Sequence, residues 1–331
     1  SRMFERDTGR SAALLKQYQN SDFRSYVPGI LAIFALLIFG QILRPGFVSA
    51  ANISSILNQA SVLAIVCIGQ LVVIVGTGGI DLTTGACVSM GALVGSMFLN
   101  GEMSHLPAAI LLTMGLGMAI GCVNGVGIQI FKIPALAMTL IMSTVVDGMT
   151  KAITKGKPSL NLPKLYKAII GEPIIGRFCA IILITAVFVV LYEILLGKTK
   201  FGKSVYLMGS NSTAAKMCGL HTTLLAVSVY MISGAMACLA GLILVGYVGS
   251  AQMGMGDTYT MLSIAAAVIG GAKVTGGKGT LLGAVIGSVV LMLLSTVLTS
   301  MGMPEGARQF SQGIILLAVL IANCRLPFYR Q

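Results

Sequence analysis

The sequence predicts an all-α polytopic transmembrane bundle of about ten helices, and three observations lead to this fold class. Of the 331 residues, 56% are hydrophobic and only 10% are charged, whereas soluble domains carry about 25% charged residues. Mean hydropathy is +0.93. Uncharged stretches long enough to cross a bilayer recur along the chain, as at 45–80 and 217–256. This composition excludes a soluble enzyme, a disordered chain and a nucleic-acid-binding domain, because each needs far more polar surface.

The individual spans follow from the charges, glycines and polar clusters that interrupt the apolar sequence. A spanning helix needs about 20 mostly apolar residues, and ten stretches approach that length. The fifth, eighth and tenth are short. The predicted spans lie near 28–43, 58–76, 84–99, 107–131, 134–150, 178–196, 222–247, 261–275, 279–298 and 309–324.

The basic residues predict that both termini lie in the cytoplasm. An even number of spans puts the termini on one side, and cytoplasmic loops are enriched in Lys and Arg. With the N-terminus inside, the inner segments hold most of the 22 basic residues. The outer loop 151–177 opposes this trend with six basic residues. The predicted organisation is a cytoplasmic segment at 1–27, a membrane domain at 28–325 and a cytoplasmic tail at 326–331.

The residues that usually carry catalysis or metal binding are scarce. The chain has seven cysteines without a C-x-x-C pair and only two histidines. Cysteines within apolar runs behave as small hydrophobic residues, so neither a disulfide framework nor a metal site is predicted. No Ser-His-Asp set or H-E-x-x-H motif is present. The sequence therefore predicts neither an enzyme nor a cofactor bound to this chain.

Glycines recur at four-residue spacing in the fourth and ninth predicted spans. Such spacing puts small residues on one helix face and lets neighbouring backbones approach closely. The pattern predicts helix packing within a compact bundle. The glycines concerned are Gly117, Gly121, Gly125, Gly279, Gly283 and Gly287.

The segment 197–204 fits the phosphate-binding pattern G-x-x-x-x-G-K-[ST]. That loop works between a strand and a helix, where backbone N–H groups converge on the phosphates. Here a predicted membrane span precedes it, so we interpret the segment as a basic cytoplasmic connector. The following residues, 210–219, predict a short helix with a Ser or Asn cap and a terminal glycine. The stretch 198–221 is either a plain connector or a docking site for a partner.

A few polar residues lie in or beside the predicted spans, where each is costly and therefore a functional candidate. Asp81 follows paired glycines, so it can cap the next helix or lie in a solute path. Asp147 and Glu193 lie near span ends and are expected to reach water. Interhelical hydrogen bonding is the alternative role for the other candidates. The residues considered for a translocation path are Asp81, Asn58, Gln59, Asn124, Thr139 and Ser143.

Three ordered blocks resemble the membrane permeases of ribose-type and related monosaccharide ABC importers. The first, 78–85, is similar to the family's G-G-I-D-L-S-x-G. The second runs from 199–203 to 209–220 and is similar to T-x-x-G-[RK] followed by G-x-N-x-x-A-A-x-x-x-G-I. The third, 264–271 with 276–279, matches I-A-A-x-V-x-G-G and G-G-x-G. Three blocks in family order are more specific than any single glycine motif.

The resemblance implies a type II ABC importer-like bundle in the bacterial inner membrane. Two permeases, identical or homologous, would form the pathway, and two ATP-binding cassette subunits would bind ATP and Mg and drive transport. An extracytoplasmic binding protein would deliver a sugar or similar solute. The second block would contact the ATPase. The residues implied in that contact are Lys203, Asn211, Thr213, Ala214, Ala215, Lys216 and Gly219.

The same resemblance suggests a role for the basic outer loop, whose charges would meet acidic lobes of the binding protein. The docking candidates are Lys155, Lys157, Lys164, Lys167 and Arg308. Two departures leave the solute open. The chain has 260–263 (T-M-L-S) where the family often has an acidic E-L-D pattern, and Ser212 where an acidic residue is common. A secondary transporter driven by an ion gradient remains the alternative class, and an amino-acid, nucleoside or signalling-molecule permease the alternative within the superfamily.

Overall fold

The computed structural model describes residues 26–158, 161–175 and 178–323. Within them the chain is almost entirely helical, as predicted. One short strand pair, antiparallel, joins Pro173 to Cys179 and Ile175 to Phe178. The elements are α1 Tyr26–Leu43, α2 Ala50–Thr77, α3 Thr84–Leu99, a 3-10 turn Met103–His105, α4 Leu106–Gln129, α5 Ala135–Thr154, α6 Lys164–Gly171, β1 Pro173–Ile175, β2 Phe178–Cys179, α7 Ala180–Lys198, α8 Lys200–Ser210, α9 Ser212–Met217, α10 Thr222–Val248, α11 Asp257–Ile269, α12 Leu281–Ser300 and α13 Glu305–Asn323.

Each predicted span overlaps one of these helices. Seven are long and apolar enough to cross a membrane, namely α1, α2, α4 with its preceding turn, α5, α7, α10 and α12. The helices α3 and α11 are apolar but shorter. The eighth prediction, 261–275, was wrong at its C-terminal end, because α11 ends at Ile269 and 270–280 is not helical. Gly271, Gly276 and Gly277 have φ values of 89°, 90° and 73°, which an α-helix does not accommodate.

The helices α2 and α10 form the centre of the bundle. Of the most apolar 18 residues in each helix, 94% are buried in α2 and 89% in α10, against 11% in α1 and 17% in α5. Around this pair, α10 packs on α3 and α4, and α2 packs on α7, α8, α11 and α12. The peripheral helices expose apolar side chains such as Leu31, Phe34 and Leu140. Such surfaces suit lipid or another membrane subunit.

The predicted glycine strips do bring helices together. On α4, a Cβ at Gly117 or Gly121 would lie 2.1 Å from a backbone oxygen of α10. On α12, a Cβ at Gly283 or Gly287 would lie 2.0 Å from a backbone oxygen at the end of α11. Gly279 is the exception, because it precedes α12 and has a φ of 156°. It belongs to the glycine-rich loop and not to the helical strip.

The segment 151–177, predicted as a loop, is more ordered than its charge suggested. It contains the end of α5, the amphipathic helix α6 and strand β1. The hydroxyl of Tyr166 donates to the Leu242 carbonyl oxygen over 2.8 Å, and the ring of Tyr166 packs on Gly246. Since both partners lie on α10, this segment is fixed to the central helix.

Candidate functional site

The segment that resembles a phosphate-binding loop forms a tight helix–helix corner. Thr199 has an extended backbone and caps α8, its Oγ1 accepting a hydrogen bond from the Gly202 N–H over 3.2 Å. The Lys203 N–H donates to the Thr199 carbonyl oxygen over 3.2 Å. A Cβ at Gly202 would lie 2.1 Å from the Leu196 carbonyl oxygen. Because the N–H groups of Gly202 and Lys203 already bind Thr199, they do not form a phosphate-binding loop. The segment is helical, whereas the sequence predicted a loop.

The short helix predicted at 210–219 is confirmed as α9. Asn211 is its cap and accepts from the Ala214 N–H over 2.9 Å. Gly219, with a φ of 79°, ends the turn that follows. Both features are those that the sequence indicated.

The helix α9 is anchored by one side and exposed on the other. Ala215 is fully buried against Met208 and Ala226. The expectation that Ala215 faces a partner was therefore wrong, because α9 needs this methyl group to pack onto its own chain. Ala214 is half-buried. Exposed on α8, α9 and the turn after them are Lys203, Asn211, Thr213, Lys216, Met217 and Gly219.

The three sequence blocks meet at one place, which we call the glycine junction: Val75 and Gly78 at the end of α2, Gly209 on α8, and 276–279. The Gly277 N–H donates to the Val75 carbonyl oxygen over 2.8 Å. A Cβ at Gly209 would lie 1.8 Å from that same oxygen. The Tyr206 hydroxyl donates to the Gly279 carbonyl oxygen over 2.7 Å. The helix α8 is thus held by backbone contacts to both α2 and the loop before α12.

Asp81 lies next to this junction and is fully buried. One carboxylate oxygen accepts from the Thr83 N–H over 3.0 Å and from the Thr83 hydroxyl. The other accepts from the Ser233 hydroxyl on α10 over 2.8 Å. Asp81 lies before Thr83, the N-cap of α3, and binds the N–H of that residue, so it closes the turn ahead of the helix instead of capping α3 as predicted. Its bond to Ser233 adds a link to α10. Every polar partner is needed, because a buried carboxylate without hydrogen bonds is very costly.

Further polar side chains complete this buried polar cluster. The Asn124 amide on α4 donates to the Thr83 hydroxyl over 3.1 Å. In the orientation that satisfies both ends, the Gln70 amide donates to the Asp81 carbonyl oxygen over 3.1 Å and accepts from its N–H over 3.2 Å. The cluster therefore ties α2, α3, α4 and α10 together. Its members are Gln70, Asp81, Thr83, Thr84, Asn124 and Ser233, none more than 1% exposed.

The structure brings together only two of the predicted path residues, Asp81 and Asn124. Asn58 is buried and donates to the Cys179 sulfur over 3.2 Å, whereas Gln59 is exposed and donates to Ser55 on its own helix. On α5, the buried Thr139 donates to the Ala135 carbonyl oxygen, and Ser143 is half-buried. A role of these residues in a path stays a prediction.

The predicted docking cations occupy two separate segments. Lys155, Lys157 and Lys164 are exposed, and Lys167 is half-buried on α6. Arg308 begins α13, where it pairs with Glu305 and donates to the Thr299 hydroxyl over 2.6 Å. Arg308 is thus already neutralised, which leaves the lysines as the free charges of this set. Cys324, Arg177 and the charged residues of 1–25 and 325–331 lie outside the described residues.

Sequence reasoning missed several members of these sites. Ser233 and Gln70 are each flanked by apolar residues or glycine within long helices, and their position opposite Asp81 becomes visible only in three dimensions. Tyr206 and Gly209 lie within the second block but were not singled out. Sequence reasoning also missed a cavity beside α11. Its only trace in the sequence is the polar residues at the starts of α11 and α13.

Comparisons with known proteins agree with this architecture. The family described as "Branched-chain amino acid transport system / permease component" matches residues 52–320. The Autoinducer 2 import system permease protein LsrC of Salmonella choleraesuis (strain SC-B67) is 32% identical over 95% of this chain and 88% of its own length. LsrC of Yersinia pestis (strain Pestoides F) is 32% identical over the same shares. No solved structure matches the chain. The chain belongs to this family of transport-system permease components, as its resemblance to the permeases of sugar-type ABC importers predicted.

Proposed function

We propose that this permease subunit forms half of the pathway of an ATP-driven importer that moves a small, polar, sugar-like solute. The observation that carries the proposal is the exposed α8–α9 pair, held through the glycine junction to the centre of the bundle. The chain would work in the bacterial inner membrane, with both termini cytoplasmic and a second permease, a copy or a homologue, completing the pathway. ATP and Mg would bind to a separate ATP-binding cassette subunit.

The face of α8 and α9 suits an acidic partner with an apolar pocket. Lys203 and Lys216 are exposed. Met217, the last residue of α9, is 84% exposed. Met217 adds an apolar contact to this charged face. Lys200, Lys273 and Lys278 add exposed positive charge around the junction. We infer that the cassette subunit docks here through Lys203, Asn211, Thr213, Lys216, Met217 and Gly219, with Ala214 at its edge.

Motion of the cassette would reach the membrane helices through backbone contacts. The Val75 carbonyl oxygen receives the Gly277 N–H and lies against Gly209, so α8 cannot shift without displacing α2 or the loop before α12. Such close-packed contacts transmit displacement because they leave no space to absorb it. Asp81 then connects the same end of α2 to α3 and α10.

The solute class rests on the relatives. The matched proteins are named for import of autoinducer 2, and we propose that a small sugar-like molecule of this kind is also carried here. The free lysines at Lys155, Lys157, Lys164 and Lys167 would dock the acidic lobes of an extracytoplasmic binding protein. Replacing all four with glutamine should weaken that docking, and unchanged affinity would contradict it.

The first experiment is an affinity pull-down of this chain from its native membrane. Recovery of an ATP-binding cassette subunit in roughly equal amount, with ATP-dependent uptake in vesicles, supports the proposal. A chain that purifies without an ATPase and transports solute in response to an ion gradient would overturn it in favour of a secondary transporter.

A pair of charge reversals locates the docking face. Lys216→Glu should reduce recovery of the cassette subunit, whereas Lys198→Glu, an equally exposed lysine at the end of α7, should not. Gly209→Ala should instead leave recovery intact and abolish ATP-driven uptake, because it disturbs the junction and not the docking face. Equal effects of the two lysine reversals would contradict a specific site on α9.

A further inference from the structure

A cavity of about 440 Å³ opens between α11, α12 and α13. Its volume lies within the range of sites for small molecules, roughly 300–1,000 Å³. None of its lining residues belongs to the buried polar cluster or to the glycine junction, and none of the three sequence blocks predicts it as a site. The lining residues are Asp257, Thr258, Met261, Leu262, Ala265, Leu291, Gln309, Gln312 and Gly313.

The polar side chains converge from two helix starts. Asp257 and Thr258 open α11, and Gln309 and Gln312 lie in the first turns of α13. Among the described residues Asp257 makes no salt bridge; the charged group interacting with it is the carboxylate of Asp147 on α5. A carboxylate can accept hydrogen bonds from two hydroxyl groups, and an amide can both donate and accept.

The apolar side chains form the other half of the lining. Leu262, Ala265 and Leu291 are buried, and Met261 is 55% exposed. An apolar wall with a few convergent polar groups is the arrangement that binds small organic solutes. The C–H faces of a sugar-like ring would lie on the apolar side and its hydroxyls on the polar side.

A hydrogen-bond chain fixes the rim on the α13 side. Arg308 pairs with Glu305 and donates to Thr299 at the end of α12. The Gln309 amide donates to the same Glu305 over 3.1 Å, which leaves the Gln309 oxygen as an acceptor. The start of α13 is therefore positioned relative to α12.

We propose that this cavity is a solute subsite of the pathway that takes neutral, hydroxyl-rich small molecules, with Asp257 and Gln312 as its specificity-determining residues. The proposal rests on the proposed function, and in the orientation given there the cavity faces the side where solute enters. The exposed carboxylate of Asp257 at the rim disfavours anionic solutes, because like charges repel. Phosphorylated sugars and free carboxylic acids should be excluded.

The first test replaces the carboxylate without changing its size. In the whole complex reconstituted in vesicles, Asp257→Asn should raise the KM for uptake of autoinducer 2, or of D-ribose if that is the solute carried, about tenfold, with little change in kcat. One charge-assisted hydrogen bond corresponds to a factor of this order. Glu102→Gln, an exposed acidic residue remote from the cavity, is the matched control. Affinity of the binding protein for the complex, measured separately, should stay constant.

The second test fills the cavity. A Cβ at Gly313 or at Gly306 meets no atom within 4 Å, so both sites on α13 accept a side chain, but only Gly313 lines the cavity. Gly313→Leu should abolish uptake while the complex assembles normally, and Gly306→Leu should transport like the parent chain. Equal uptake by both variants would overturn the proposal.

The third test asks what occupies the cavity. Thr258→Cys in a Cys218→Ser background should react with a membrane-impermeant thiol reagent, and saturating solute should slow that reaction several-fold. Reaction only with a lipid-soluble reagent would show an acyl chain in the cavity and overturn the proposal. If the parent complex shows no ATP-dependent uptake, the proposed function fails. If it transports normally, Asp257→Asn and Gly313→Leu behave like their controls, and solute does not slow the labelling of Thr258→Cys, only the subsite fails.

Discussion

The helices α11 and α12 pack differently at their two ends. At one end, Gly270 and Ala266 touch Gly283 and Gly287 through backbone atoms, and the loop that follows is hydrogen-bonded to α2 at Val75. At the other end the same helices part around the cavity that α13 partly closes. We call these the locked end and the open end.

The difference lies in which atoms make the contact. At the locked end a Cβ on Gly270 would lie 2.2 Å from the Gly283 backbone, so the helices meet without side chains that could change rotamer. At the open end the contacts are made by long side chains such as Met261 and Gln312, which adapt at low cost. The side-chain contacts of the open end can therefore rearrange more readily than the backbone contacts of the locked end.

The largest expected effect comes from the same substitution made at the two ends. Gly283→Ala puts a Cβ 2.0 Å from the Gly270 carbonyl oxygen, so the helices must separate along the locked end. Overpacking of this kind costs about 1–3 kcal/mol and at times more. We expect a clear fall in the melting temperature of the detergent-purified complex, with uptake lost.

Gly313→Ala is the matched variant at the open end. Its Cβ meets nothing within 4 Å, and alanine is favoured over glycine in a helix by about 1 kcal/mol. The melting temperature should stay constant or rise slightly. Equal destabilisation by the two alanines would show that the ends do not differ in packing and would break the comparison.

A second effect, of similar size, concerns the buried polar cluster. Asp81→Ala removes the acceptor of three hydrogen bonds and leaves Thr83 and Ser233 buried without it. Each unsatisfied buried group costs about 1–3 kcal/mol, so a loss of about 3 kcal/mol is expected. Asp147→Ala, at a half-buried site on α5, should cost less than about 1 kcal/mol.

Urea titration of folded complex in detergent would compare the two aspartate variants. Asp81→Asn keeps one acceptor oxygen and should fall between them. An Asp81→Ala complex as stable as Asp147→Ala would mean that the hydrogen bonds of the cluster contribute little to stability.

Much of the fold could be predicted from the sequence because bilayer spans leave a local signal. The length of each apolar stretch predicted the long helices between α1 and α13. The spacing of the glycines on α4 predicted a close helix contact, which the structure places against α10. The end of α11 at Ile269 and the helical corner at Thr199 were missed. The end of α11 depends on packing against Gly283 of α12, which no local pattern contains. The corner at Thr199 is local, because Gly202 packs on Leu196 at the end of the preceding helix, but the basic charges of the segment favoured a loop.

The candidate sites were predictable only in part for the same reason. Asp81 was identified because an aspartate after paired glycines is unusual beside a span, and its bond to the Thr83 N–H is local. Its partner Ser233 lies 152 residues away, so nothing near Asp81 in the sequence indicates it. Ala215 was misassigned because the sequence shows a short helix but not which face packs against Met208.

The smallest expected effect tests whether the locked end extends to α8. Tyr206→Phe removes only the hydroxyl that donates to the Gly279 carbonyl oxygen, and one such bond contributes about 1 kcal/mol. Tyr192→Phe on α7, away from the junction, is the control. Because the ring of Tyr206 remains, the complex should assemble and bind its ATPase, with a melting temperature only slightly lowered. ATP hydrolysed per solute transported should rise, since the contact that joins α8 to the loop before α12 has been loosened. An unchanged ratio, with the same small loss of stability, would confine the locked end to α2, α11 and α12. Coupling from α8 would then run through its direct packing on α2, as at Gly209 and Val205.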